Sequence, residues 1–259
     1  MSLDAPYLLR TDADAVCTLT LNRGERFNPL SEEMLTELLA AFKAIAVNEK
    51  IRVVVLAAAG KAFCAGHDLK QMQASPSDKY YKDLFGLCSK LMLSIQKLPQ
   101  PVIARVHGLA TAAGCQLVAM CDLAVAAEQA RFAVSGVNVG LFCSTPAVAL
   151  SRNVSRKQAM EMLLTGDFID AQTALQRGLV NRVVSADQLD TCVAELVASI
   201  VAKPAVAISM GKQLFYKQLE MGVEAAYQLA GQTMACNMMD EAAQEGVQAF
   251  LEKRRPDWS

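Results

Sequence analysis

Two short segments hold residues whose types and spacing can do chemistry. Lys61-Ala62-Phe63-Cys64-Ala65-Gly66-His67-Asp68-Leu69 follows one apolar run, and Gly108-Leu109-Ala110-Thr111-Ala112-Ala113-Gly114-Cys115-Gln116-Leu117 follows the next. Both put small residues at the end of an expected strand, and the second runs into a helix start. Small residues let the backbone come close to a ligand. Free amides at a helix N-terminus attract negative charge. Two such loops, converging, can donate two N–H groups to one oxygen and form an oxyanion hole. Small residues after a strand also serve plain packing, and the residues by themselves leave both readings open.

Loops of this kind need strands before them and helices behind them. Residues 51–58 form a continuous apolar run (Val53, Val54, Val55, Leu56), which suits a strand buried on both faces. Val102–Val106 and Leu123–Ala127 read the same way, and Val16–Leu21 alternates as a half-buried strand does. Ser31 is placed to cap a helix carrying Met34, Leu38, Phe42 and Ile45 on one face. Leu84, Leu87, Leu91 and Ile95 mark a second helix, ended by Pro99 and Pro101. Residues 112–120 form a short buried helix with Gly114 at its beginning. Strand and helix alternate, so the fold class is α/β. Beyond about residue 145 the pattern is nearly all helix, with Asp170 capping one and Gly178 closing it. Residues 205–255 read as two or three helices with an apolar excess, which suits packing against another subunit or simple docking on the parent domain.

The chain has 259 residues, 53% apolar and 20% charged, which excludes disorder as its main state and fits one large domain, or one with a small appendage. A net charge of −1 supplies no basic field for nucleic acid or anionic lipid. The eight cysteines form no CxxC pair and no zinc-type cluster with histidine, so we expect no metal and a reduced, cytoplasmic protein. Residues 1–10 lack the apolar core of a secretory signal. The most apolar stretch, 108–127, is interrupted by Gln116 and Asp122, and reads as protein interior with no membrane insertion.

The strings AFCAGHDL, PVIARVHG, GCQLVAMCD and LTGDFIDAQTALQRGLVNRVV, framed by LNRGERFNPLS and EGVQAFLEKRRPDW, resemble the crotonase superfamily, the enoyl-CoA hydratase/isomerase family. The resemblance spans almost the whole chain. It implies a spiral of ββα units over residues 1–200 holding an acyl-CoA site. A helical trimerisation region over 201–259 would follow, giving a homotrimer or a hexamer built as a dimer of trimers. It implies coenzyme A as part of a thioester substrate, with no permanently bound cofactor. The oxyanion donors would be the amides of His67 and Ala113. The family usually has glycine where Ala113 stands, and alanine serves if its φ is ordinary. Arg26 and Phe27 fall in the loop that touches the CoA chain. The backbone at Ala65 meets the adenine, and Asp68 and Lys70 line the same loop. Phe250 and Lys253 match a C-terminal pair that approaches adenine and phosphates, often from a neighbouring subunit.

Against that family the chain departs at two places. Its hydratases use two glutamates, and here Gln116 and Gly136 stand in their positions. Gln116 can hold a water or a carbonyl but cannot titrate, and Gly136 is expected to offer only space, so that glutamates restored at both would raise hydration. Adding water across a double bond needs a base and an acid, each worth about 10²–10⁴-fold. The expectation is a thioester enzyme with an intact oxyanion hole and weak or absent hydratase activity. Thioester hydrolysis, decarboxylation of a malonyl-type thioester and slow isomerisation need chiefly that hole. Ser135, Asn138, Cys143, Ser144 and Thr145 lie near the missing second glutamate. The competing reading is a non-catalytic acyl-CoA binding or assembly protein. A Clp-type serine peptidase would need a Ser–His–Asp set, and the chain offers two histidines and no serine in a glycine-flanked turn.

Overall fold

The computed structural model describes residues 5–74 and 76–258. Met1–Asp4, part of the segment read above as no secretory signal, lies outside the described residues. The chain opens with an antiparallel hairpin, β1 (Leu8–Ala13) and β2 (Val16–Leu21). Its turn residues Asp14 and Ala15 both have positive φ, 45° and 66°, the backbone twist that a two-residue hairpin requires. Helix α1 (Glu32–Ala46) follows; the Ser31 hydroxyl accepts the Met34 amide, and Met34, Leu38, Phe42 and Ile45 face the core.

Three turns of a spiral come next. In each, one strand enters a first sheet, a short strand enters a second, and helix follows. They are β3 (Val53–Ala58) and β4 (Ala62–Cys64) with α2 (Leu69–Ala74) and α3 (Asp78–Lys97), then β5 (Val102–Val106) and β6 (Leu109–Thr111) with α4 (Ala113–Met120). The third is β7 (Leu123–Ala127) and β8 (Arg131–Ala133), followed by a 3-10 turn and α5 (Ser144–Leu150). The chain continues through α6 (Arg156–Thr165), β9 (Ile169–Asp170), α7 (Ala171–Gln176), β10 (Arg182–Val184) and α8 (Leu189–Val201). The first sheet runs β1-β2-β3-β5-β7-β10, parallel from β2 onward; the second runs β4-β6-β8-β9, with only the last pair antiparallel. The expected spiral of ββα units is the observed fold.

Strands β2, β3, β5 and β7 and helices α1, α3 and α4 fall where the sequence puts them, whereas β1, exposed beyond Leu8, went unread. The nearly all-helical reading beyond residue 145 is corrected by β9 and β10, and β4, β6 and β8 also went unread. These strands are two or three residues long, too short to show a period. They exist because the preceding turn of the spiral presents a strand edge in register.

Helix α8 covers the outer face of the first sheet, packing Leu189, Cys192 and Val193 against Val53, Val55 and Ile103. Helices α9 (Ala205–Gln218), α10 (Val223–Met238) and α11 (Glu241–Leu251) follow. Helix α9 is held by one buried cation. Lys212 Nζ donates to Ile95 O (2.8 Å), Gln100 O (3.0 Å) and Asp122 Oδ2 (2.6 Å), spending all three protons. Asp122 also accepts the Val102 amide (2.7 Å) and the Tyr216 hydroxyl (2.8 Å). The described cysteines are all unpaired, and seven of them are buried. No single helix among the described residues is long and apolar enough to cross a membrane.

Candidate active site

The spiral brings the two small-residue loops together. The loop after β4 is stitched to the 23–30 loop: Asn28, fully buried, donates to Ala59 O (2.8 Å) and Ala62 O (2.9 Å) and accepts the Arg23 amide (2.8 Å). Ala65 N donates to Phe27 O (2.9 Å), and Leu30 N to Gly66 O (2.7 Å). The start of α4 lies against this loop. A Cβ on Gly114 would stand 2.1 Å from Cys64 O, so only glycine permits the approach. Gly66 has φ +90°, and a Cβ there would lie 3.2 Å from the Ala113 nitrogen.

These bonds set the direction of two amides. In a trans peptide the C=O and the following N–H point opposite ways. Gly66 O is directed at Leu30 N, so the His67 N–H points away from Leu30. Ala112 O accepts the Gln116 amide (3.1 Å) as the first bond of α4, so the Ala113 N–H projects off the helix N-terminus, where it has no intrahelical acceptor. Both residues line one pocket of about 340 Å³. Ala113 has ordinary helical backbone. The strain sits one residue earlier, at Ala112, with φ 50° and ψ −122°, a conformation that glycine normally takes.

His67, Ala65, Met72 and Phe85 line one part of the pocket, and Val139, Leu141 and Phe142 another; Ser135, Gly136 and Cys143 complete it. The lining contains no Asp, Glu, Lys or Arg. Ser135 Oγ lies 2.8 Å from Thr111 Oγ1. Burial pushes the Cys143 thiol pKa up, despite the Gly136 amide donated to its sulfur at 3.3 Å. Burial pushes the His67 imidazole down, against its bond to the Leu30 carbonyl. A larger cleft of about 660 Å³ lies between the first sheet and α8, lined by Thr18, Val55 and Val197 among others, and none of the candidate residues borders it.

Of the residues singled out from sequence, Ala65, His67, Ala113 and Gly136 meet in the pocket, joined by Ser135, Cys143, Ser144 and Thr145. Gln116 is buried within α4 and does not line the pocket, and its Oε1 has no hydrogen-bond partner. Asn138 instead donates to Gly166 O (3.4 Å). Gly136 is a correction: it does not offer space. A Cβ there would stand 2.4 Å from Leu141 O and 2.8 Å from Cys143 Sγ, so a glutamate cannot be placed without moving the backbone. Asp68 is occupied, its Oδ1 accepting the amides of Lys70 (3.0 Å) and Gln71 (3.2 Å) at the start of α2. Arg26, Phe27 and Lys70 are exposed and lie outside the pocket lining. Phe250 borders a separate cleft with Pro204 and Trp258, and Lys253, also exposed, follows α11 with φ 58°. Sequence reasoning missed Met72, Phe85, Val139, Leu141 and Phe142 as pocket walls. Each is an apolar residue among many, and only the folded chain selects them.

The enoyl-CoA hydratase/isomerase family profile matches residues 11–259. The mitochondrial enoyl-CoA hydratase domain-containing protein 3 of Rattus norvegicus is 45% identical over 246 residues, covering 95% of this chain and 82% of that protein. A solved enoyl-CoA hydratase from Mycobacterium smegmatis superposes with TM-score 0.97 at 64% identity, over 98% of this chain and 99% of that one. The crystal structure of human enoyl coenzyme A hydratase domain-containing protein 3 gives TM-score 0.94 at 43% identity, over 97% of this chain and 100% of that one.

Proposed function

The chain belongs to the enoyl-CoA hydratase/isomerase family, and from that premise we propose that it is an acyl-CoA thioester enzyme working through a backbone oxyanion hole. The thioester oxygen would take the amides of His67 and Ala113, which stabilise the charge gathered there when an enolate or a tetrahedral intermediate forms. One such donor is worth about 3 kcal/mol of barrier. The observation that carries this reading is the pair of outward-directed amides in one pocket without charged side chains, where low polarity strengthens each hydrogen bond to a developing oxyanion.

Hydratase activity is weak or absent in this reading. Gln116 cannot exchange a proton, and Gly136 carries no side chain. Arg26, Phe27, the backbone at Ala65 and Lys70 contact the CoA portion, while Asp68 acts by capping α2. Phe250 and Lys253 serve a neighbouring subunit's site in a homotrimer or a dimer of trimers, with 1–200 as the catalytic core and 201–259 as the assembly region. Coenzyme A enters only as part of the substrate. We place the protein in the cytoplasm on its unpaired thiols; the mitochondrial label belongs to its relatives' names.

The exposed apolar side chains of α10 and α11 favour a second reading, a non-catalytic acyl-CoA binding or assembly protein. Incubation with a panel of acyl-CoA thioesters in heavy water, read by mass spectrometry, separates the two. Release of CoA, loss of carbon dioxide or deuterium uptake without water addition supports the enzyme. Fast hydration of an enoyl-CoA overturns the argument from Gln116 and Gly136, and binding without any change leaves the assembly reading.

A further inference from the structure

After α11 the chain turns back and is fastened to the helix it has just left. Glu252 is the C-cap, and Lys253 follows with φ 58°, the left-handed position that glycine normally fills after a helix. Lys253 N donates to Phe250 O (3.2 Å) and Arg254 N to Ala249 O (3.0 Å), closing the turn. Arg254 then grips Glu245 of α11 with both arms of its fork, Nη1 to Oε1 at 2.6 Å and Nη2 to Oε2 at 2.8 Å. The Asp257 amide donates to the same Oε1 (2.8 Å), and Arg254 Nε donates to Glu252 Oε2 (2.6 Å). A bidentate pair of this kind fixes direction as well as adding energy.

A glycine shows that this return is built into the sequence. Trp258 lies over Gly246 and lines the cleft with Pro204 and Val206; a Cβ on Gly246 would stand 3.0 Å from Trp258 Cη2. Gly211 in α9 and Gly231 in α10 would meet nothing within 4 Å. Glycine inside a helix weakens it, and at position 246 it makes room for the indole. The fastened turn leaves Phe250 and Lys253 exposed, an aromatic ring and an ammonium on one held segment.

We propose that Glu245, Arg254 and Trp258 are positioning residues, holding the turn that carries Phe250 and Lys253 so that ring and ammonium are already in place for the adenine and phosphates of coenzyme A. This rests on the acyl-CoA reading above, which gives Phe250 and Lys253 that contact. Binding loses the freedom of whatever it must order, and a turn held beforehand has less to lose. No residue of this tail lines the acyl pocket. The positioning residues therefore act on the nucleotide half of the substrate and leave the thioester half alone.

The test compares octanoyl-CoA with octanoyl-pantetheine, which has the same thioester and no nucleotide, by calorimetry on the full chain. The wild type should bind the CoA ester more tightly. Lys253→Ala should weaken octanoyl-CoA about tenfold. Trp258→Ala and Glu245→Gln should weaken it about three- to tenfold, with octanoyl-pantetheine within about twofold of wild type throughout. Trp258→Phe should keep the CoA affinity. Trp258 is the single tryptophan, so its emission should shift to the red in Glu245→Gln as the tail leaves the helix. Should Trp258→Ala melt well below the wild type, Glu245→Gln is read in its place. Equal weakening of both esters overturns the positioning role, as does a loss in Lys253→Ala that the other two variants do not share. An unchanged CoA affinity in Lys253→Ala overturns the contact at this turn, and the positioning role with it, while the pocket reading stands. No binding of either ester by the wild type overturns the acyl-CoA reading as well.

Discussion

Ala112 carries the backbone strain of the site. Its φ of 50° with ψ of −122° is glycine territory occupied by alanine, a situation that costs about 1–3 kcal/mol. Ala112→Gly should relieve it, and after the entropy that glycine adds to the unfolded chain the net gain is about 1 kcal/mol, or roughly 2–4 °C in Tm. Thermal melting checks this, and a fall in Tm would deny the strain. Gly136 has the opposite character. Gly136→Ala drives a methyl toward Leu141 O and Cys143 Sγ and should cost about 1–3 kcal/mol, measured by urea titration. Restoring a glutamate there is therefore not a route to a hydratase. The two histidines set an acid limb. Burial lowers both His67 and His107 below the ordinary 6.5. Above that value neither state is protonated and stability does not respond. Below it the unfolded chain takes up protons that the folded one refuses, so stability falls as pH drops from about 6.5. Urea midpoints between pH 7 and 5 should show the fall, with a smaller slope in His67→Asn.

At the scale of elements, the Asp122–Lys212 pair is the joint to examine. Removing one partner of a buried pair leaves the other charge uncompensated, so Lys212→Met should cost about 3–5 kcal/mol and loosen α9, seen as faster hydrogen exchange there. In the sequence Asp122 shows only as a break in an apolar stretch, because its partner comes 90 residues later. The same physics decides what else was legible. Ser31 and Asp170 were read as caps, and their side chains accept the Met34 and Thr173 amides, since capping is a contact between near neighbours. Long apolar strands announce themselves by composition. The second sheet does not, because its strands draw their existence from the preceding turn. In the site, the family resemblance singled out His67, Ala113 and Gly136, and all three line the pocket. Phe85, Leu141 and Phe142 were not singled out, since a pocket wall has no period. Asp68 accepts the Lys70 and Gln71 amides at the start of α2, a local contact that a carboxylate just before a helix makes.

The whole molecule leaves apolar surface on its last helices. Tyr227 on α10 is 77% exposed and Phe250 on α11 is 82% exposed, and Met234, Met239 and Leu251 on or beside the same two helices are exposed as well. If these faces meet in a trimer, Tyr227→Asp should lower the assembly mass by native mass spectrometry while the monomer keeps its far-UV circular dichroism. Phe250→Asp should weaken acyl-CoA binding if that ring reaches a neighbour's site; unchanged affinity would confine it to the subunit interface. The spiral itself has a further consequence. The two outward amides come from successive turns, and the backbone contact between those turns at Gly114 sets the gap between them. Side chains of the pocket wall that leave the Gly114 contact untouched can change without disturbing that gap. The coil behaves as a socket of constant gauge, into which inheritance fits different tools.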